Sequence, residues 1–142
     1  MTDLNKLLKK HEACSEAVIF FKDMTIEEAF NNCPRGEWLL WLFSKTNPDD
    51  LRLLTLAKGH CANTVRHLMK DERSTKSVDV AIKFGEGKAT IEELNAAAAA
   101  GYAAADAAGY ADTAGYAAAR KENQQKTAEI CRKYLPLEKW GF

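Results

Sequence analysis

The sequence of 142 residues predicts an all-α fold, with a single helical domain over residues 1–142. No stretch shows the sustained alternation of apolar and polar residues that marks a half-buried strand. The dipeptides that form tight β-hairpin turns are also missing, whereas helix-start signals recur along the chain. The patterns predict helices at about residues 3–12, 15–22, 25–32, 35–45, 48–71, 75–84 and 90–135.

Residues with defined capping roles mark where these helices begin and end. Thr25–Glu28 and Thr90–Glu93 have capping-box spacing, in which a threonine and a glutamate three residues later bond each other's backbone amides. In Asn47–Asp50, an asparagine, a proline and two acids predict an N-cap followed by a helix whose first residue is the proline. Gly85–Gly87 predicts a break between two helices, and Pro136 predicts the end of the last one.

The helix predicted at 35–45 contains six consecutive large apolar residues, WLLWLF at 38–43. At about 100° per residue they cover every side of a helix, and a helix that is apolar all round is a buried one. The sequence therefore predicts a buried, Trp-rich helix at the centre of the core. Trp38 and Trp41 are expected to be core residues, although two such indoles could also wall a ligand site.

The helix predicted at 48–71 is amphipathic. One side is apolar, and the other carries basic and polar residues, namely Arg52, Asn63, Arg66 and Lys70. Such a side is either solvated and balanced by acids on neighbouring helices, or it is a docking surface for an acidic partner or a phosphate-bearing ligand. Arg52, Arg66 and Lys70 are the candidate interaction residues under the second interpretation.

The last predicted helix contains an alanine-rich stretch, GYAAADAAGYADTAGYAAA, at 101–119. Its tyrosines fall on the side that is apolar at both helix ends, so this side is predicted to face the core. The opposite side is almost entirely small, and its candidate interaction residues are Ala107, Ala111, Ala114 and Gly115. A glycine costs about 1 kcal/mol against alanine within a helix. Three glycines here favour close packing within the chain or across a homodimer, or contact with a partner protein, over an inert rod.

Composition and motifs narrow the function classes. The 20 basic and 20 acidic residues give zero net charge, which argues against general nucleic-acid binding. The N-terminus lacks the apolar core of a secretion signal, and no segment is apolar for long enough to span a bilayer, so a cytoplasmic protein without membrane attachment is expected.

Catalytic signatures are also missing from the sequence. It lacks the motifs of serine hydrolases, P-loop proteins, dinucleotide-binding proteins and zinc proteases. His11 and Cys14, at helical spacing, supply only half of a zinc site. The protein is therefore expected not to be an enzyme and to use no cofactor, metal or disulfide.

Four stretches between about residues 25 and 136 carry a family resemblance: IEEAFNNCPRGEWLLWLF, DDLRLLTLAKGHCANTVRHLM, AIKFGEGKATIEELNAAAAA and AEICRKYLP. In this order they resemble the immunity protein family, small alanine-rich helical proteins of bacteria and phages that belong to polymorphic toxin systems. The resemblance implies an all-helical, non-enzymatic protein that binds a cognate toxin or other effector and blocks it. It implies no particular site residues.

Two other functions stay open at the level of the residues. One is a small-ligand, nucleotide-like binding or sequestering protein of phage or mobile-element origin. Its pocket would combine Trp38 or Trp41 and the tyrosines with basic residues such as Arg35, Arg52 or Arg66. The other is an enzyme whose site matches no familiar motif.

Overall fold

A computed structural model describes residues 2–98 and 116–141, and every regular element in these ranges is helical. The all-α prediction is thus confirmed. The helices are α1 (Asp3–Lys10), α2 (Ser15–Phe20), α3 (Ile26–Asn32), α4 (Gly36–Thr46), α5 (Leu51–Asn63), α6 (Glu72–Gly85), α7 (91–98) and α8 (Tyr116–Tyr134). Short 3₁₀ turns follow at Arg66–Leu68 and Leu137–Lys139. None of these described helices is long and apolar enough to cross a bilayer.

The alanine-rich stretch falls mostly outside the described residues. The predicted helix at 90–135 is represented by α7 and α8, and its continuity between them is not described. The four small residues predicted to form an interaction surface, Ala107, Ala111, Ala114 and Gly115, also lie outside the described ranges. That surface stays a prediction.

Local capping signals set several helix starts as predicted. The hydroxyl of Thr25 accepts a hydrogen bond from the Glu28 amide at 3.2 Å. At the start of α7, Thr90 Oγ1 accepts from the Glu93 amide at 3.1 Å and Glu93 Oε1 accepts from the Thr90 amide at 3.2 Å, which completes a capping box.

The start predicted for α5 was wrong by three residues. Asp50 is the N-cap, and its carboxylate accepts from the Leu53 amide at 3.1 Å. Asn47 does not cap because its side chain binds the end of the chain. Its Nδ2 donates to Lys139 O at 2.8 Å, and its Oδ1 accepts from the Gly141 amide at 2.9 Å.

The end predicted for α5 was also wrong, since the helix stops at Asn63 rather than near residue 71. Thr64 closes the last turn: its hydroxyl donates to Cys61 O at 2.7 Å and accepts from Asn123 Nδ2 at 2.8 Å. A threonine that bonds a backbone carbonyl competes with helix continuation. As a result, Lys70 lies in a loop beyond the 3₁₀ turn rather than on the helix.

The core forms where α4 packs against α5 and α8, with α6 packed on the far side of α5. Leu39, Leu42 and Phe43 of α4 are fully buried, so the helix is central as predicted. Its two tryptophans, Trp38 and Trp41, are only partly buried. The most buried tryptophan is Trp140, 8% exposed, whose indole packs edge-on against Phe43 with ring centroids 5.7 Å apart.

Glycines allow the helices to approach closely at two crossings. Gly36 of α4 lies against Thr127 of α8, and Gly85 at the end of α6 lies against Leu56 of α5. A methyl group at either glycine would overlap its neighbour's backbone as well as its side chain. These close approaches fix α8 on α4 and α6 on α5.

Candidate functional site

A groove on the surface lies between α4 and the segment that joins α1 to α2. The chain reverses at Glu12, whose backbone φ is 52°, and so brings Ala13 and Cys14 over α4. The groove has a volume of about 220 Å³. Its lining consists of Glu12, Ala13, Cys14, Ala17, Phe21, Glu37, Trp38 and Trp41, which together are called the aromatic groove.

Aromatic contacts hold the groove walls in place. The Trp38 ring lies 5.6 Å from that of Phe21 and 5.7 Å from that of Phe20, measured between centroids. On the other wall, His11 meets Trp41 edge-on at 6.3 Å. Both indoles are therefore braced on one side by α1 or α2 while they remain partly exposed on the other.

An ion network braces the outer edge of Trp38. The Arg35 guanidinium stacks on the indole, 4.2 Å from the ring centroid. It also pairs with Glu16 of α2 at 3.0 Å and with Glu37 of α4. Glu37 in turn accepts a hydrogen bond from Gln124 of α8 at 3.0 Å, so three helices meet at this edge.

Charges of both signs surround the groove. Glu12 and Glu37 of the lining carry carboxylates, and Glu37 is paired with Arg35. The Lys45 ammonium lies 5.8 Å from the centroid of the Trp41 ring. The indole walls between these charges suit an apolar side chain.

Two exposed apolar residues lie on α2 outside the groove lining. Ile19 is 75% exposed and Val18 is 40% exposed. At about 100° per residue, Ile19 is turned about 200° from the lining residue Ala17, so it faces away from the groove. Single exposed apolar residues of this kind are common on protein surfaces.

The structure does not bring the predicted basic residues together. Arg52 near the start of α5 and Arg66 beyond its end are separated by the length of the helix, about 20 Å at 1.5 Å per residue. Arg66 makes a bidentate pair with Asp79 of α6, at 2.6 and 2.9 Å. The charge of Arg66 is therefore balanced by a neighbouring acid, and Lys70 lies in the loop that follows the 3₁₀ turn.

Arg132 is the basic residue whose role sequence reasoning missed. The helical pattern places it on the charged, exposed side of the last helix, yet it reaches the end of α3. Its Nε donates to Phe30 O at 2.8 Å, and its Nη2 donates to Cys33 O. The guanidinium satisfies carbonyls left open at a helix C-terminus. An open hollow of about 380 Å³ lies beside Arg132. The guanidinium at its border is already hydrogen-bonded to the carbonyls of Phe30 and Cys33.

The described residues contain no group of three or more potential ligands placed to hold a metal ion. His11, half of the hypothetical zinc site, is instead occupied with the Trp41 ring. His60 stacks flat on Tyr134 of α8, with centroids 4.1 Å apart, and burial lowers the pKa of its imidazole.

Comparison of the chain with protein-family models, with curated proteins and with solved structures gives no match. The fold and the groove thus define a small all-helical protein with an aromatic surface groove. The resemblance to immunity proteins stays a prediction.

Proposed function

We propose that this protein is a non-enzymatic binding protein of the immunity type, which blocks a toxin or other effector protein by holding it at the aromatic groove. The observation that carries the proposal is the pair of braced, partly exposed indoles, Trp38 and Trp41, in the walls of the groove. Tryptophan is among the residues that dominate the binding energy of protein interfaces. Aromatic side chains held by packing before binding lose little conformational entropy on association.

The size of the groove favours a protein side chain over a free ligand. Pockets for drug-sized molecules have volumes of roughly 300–1,000 Å³, whereas the aromatic groove has about 220 Å³. An apolar anchor on the partner suits both this size and the indole walls of the groove.

One observation supports the alternative of a small-ligand binding protein. Arg35 and Trp38 are stacked at 4.2 Å, an arrangement that could extend to a planar base. Thermal melts with a panel of nucleotides separate this alternative. We expect no shift in Tm, whereas a concentration-dependent rise would favour a nucleotide ligand over a protein partner.

The direct test is co-expression with candidate toxins, scored by cell growth and by the Kd of the purified pair. Cys14→Asp places a charge in the groove lining without touching the core, since Cys14 is exposed. We expect it to weaken binding at least about tenfold and to reduce protection.

Leu68→Asp is the matched control, because Leu68 is 63% exposed and is not part of the groove lining. This variant should bind and protect like the unchanged protein. Equal binding by both variants would contradict the groove. Loss on Arg52→Ala or Lys70→Ala, with Cys14→Asp unaffected, would transfer the interaction to the basic residues.

A further inference from the structure

Two thiols that are remote in sequence meet inside the protein. The Sγ atoms of Cys61 on α5 and Cys131 on α8 lie 3.9 Å apart, across a sequence separation of 70 residues. Cys131 is buried and Cys61 is partly exposed. The aromatic groove lies elsewhere, and the proposed function makes no use of this pair.

The close approach of the helices brings the thiols together. Gly36 lies against Thr127, which places the backbone of α4 directly beside α8. The Cys131 thiol is 3.5 Å from Gly36 O, and the Cys61 thiol is 3.8 Å from Thr127 O. Both sulfurs therefore sit at the junction of α4, α5 and α8. A disulfide needs the sulfurs at about 2.0 Å, a shortening that rotation of the side chains can supply in part.

We propose that Cys61 and Cys131 are a redox-active pair, which a peroxide oxidises to a disulfide that fastens α8 to α5. This goes beyond the proposed function, because it concerns how firmly the C-terminal helix is held rather than what the groove binds.

The surroundings of the two sulfurs assign their roles. A hydrogen bond from the Cys131 thiol lowers the pKa of Cys61, and the same contact together with burial raises the pKa of Cys131. Cys61 is the more exposed of the two and loses its proton more readily, so it meets the oxidant first and Cys131 follows.

The reaction balances in two steps. The Cys61 thiolate attacks one oxygen of hydrogen peroxide, the O–O bond breaks, and the departing hydroxide takes a proton to leave as water; Cys61 becomes a sulfenic acid. Cys131 then loses its proton and attacks the Cys61 sulfur. The S–S bond forms as the S–O bond breaks, and a second water leaves. Two thiols and one peroxide thus give a disulfide and two waters.

The other two cysteines are placed differently. The Cys33 thiol donates to Arg35 O at 3.3 Å, and burial raises the pKa of this group, which keeps it protonated. Cys14 is exposed and lines the aromatic groove. It is the cysteine able to link two copies of the chain, so it is replaced in the test.

The experiment treats full-length Cys14→Ser protein with hydrogen peroxide, followed by alkylation under denaturing conditions and peptide mass spectrometry. We expect a cross-linked peptide that joins Cys61 to Cys131, with Cys33 alkylated, and reversal by a dithiol reductant. Thermal melts should show a rise in Tm of several degrees, since the bond closes a long loop.

Two further variants separate the roles. With Cys131→Ser in the Cys14→Ser background, peroxide should leave a sulfenic or sulfinic acid on Cys61 and no cross-link. With Cys61→Ser, Cys131 should stay reduced. Recovery of both cysteines in the thiol form after peroxide, or a cross-link through Cys33 instead, would overturn the proposal. The cross-link is located in the Cys14→Ser protein, which keeps both thiols. This result therefore does not depend on whether the Cys61→Ser and Cys131→Ser variants fold.

Discussion

Both sides of α4 are apolar, but one is buried in the core and the other is only partly covered. The core side, Leu39, Leu42 and Phe43, is fully buried between α5 and α8. The groove side, Trp38 and Trp41, is braced by α1 and α2 but not covered by them. One helix thus supplies both the centre of the core and the walls of the candidate binding site.

The difference shows how a short chain can form a rigid site, because the groove walls and the core share one helix. A wall that belongs to the central helix cannot move unless the core moves with it, because protein interiors are closely packed. The exposed part of each indole contributes nothing to folding, since it is in contact with water in both the folded and the unfolded state. Under the proposed function, a partner would cover this surface.

The largest expected effect comes from removing the core side. Phe43→Ala should lower the free energy of unfolding by about 3–5 kcal/mol, because it deletes a fully buried ring and leaves a cavity beside Trp140. Urea denaturation monitored by circular dichroism measures the change. A loss below about 1 kcal/mol would mean that this side of α4 is not the core.

Trp41→Ala is the comparison variant on the groove side. Because Trp41 is partly exposed, its removal should cost less than that of Phe43 despite the larger ring, about 1–3 kcal/mol. Effector binding should fall at least about tenfold while the protein remains folded. A stability loss equal to that of Phe43→Ala would erase the distinction between the two sides.

An intermediate effect is expected where α4 touches α8. Gly36→Ala adds a methyl group that meets both the side chain and the backbone of Thr127, so it should destabilise by about 1–3 kcal/mol. Thermal melts measure it. On a free helix surface the same change would stabilise by up to about 1 kcal/mol, so the sign of the change in Tm shows whether Gly36 is closely packed.

The same melts on Gly101→Ala, Gly109→Ala and Gly115→Ala would test the prediction for the alanine-rich stretch.

Local signals in the sequence predicted the parts of the fold that depend on neighbouring residues. Thr25 and Thr90 cap their helices as their spacing indicates, because a capping bond involves only the next turn. Asn47 has the same capping capacity but binds Lys139 and Gly141 instead. No short-range sequence pattern shows that a side chain will hydrogen-bond a segment distant in sequence.

The candidate site was less predictable for the same reason. The WLLWLF pattern predicts a buried helix with two indoles, Trp38 and Trp41, but it does not show which of the six residues face the core. The buried Trp140 and the carbonyls that Arg132 caps are likewise set by tertiary contacts. An unsatisfied helix end at Cys33, next to a proline, was the one signal that a distant donor was needed there.

The smallest expected effect concerns the surface pair between Arg66 and Asp79, which lies away from both sides of α4. The guanidinium hydrogen bonds lower the pKa of the Asp79 carboxyl, so its ionised form is favoured in the folded state. A lowered folded-state pKa gives stability that is present above the unfolded value, about 3.9 for aspartate, and is lost as the pH falls through the folded value. Both side chains are close to half exposed, so solvent screens the pair and its contribution is small.

Asp79→Asn should therefore lower Tm slightly at neutral pH, and the difference from the unchanged protein should shrink as the pH falls below about 4. Asp49→Asn removes the same charge from an exposed position with no ion pair among the described residues, and it should leave Tm nearly unchanged at both pH values. A deficit in Asp79→Asn that persisted unchanged in acid would show that the carboxyl acts through its shape and hydrogen bonds rather than its charge.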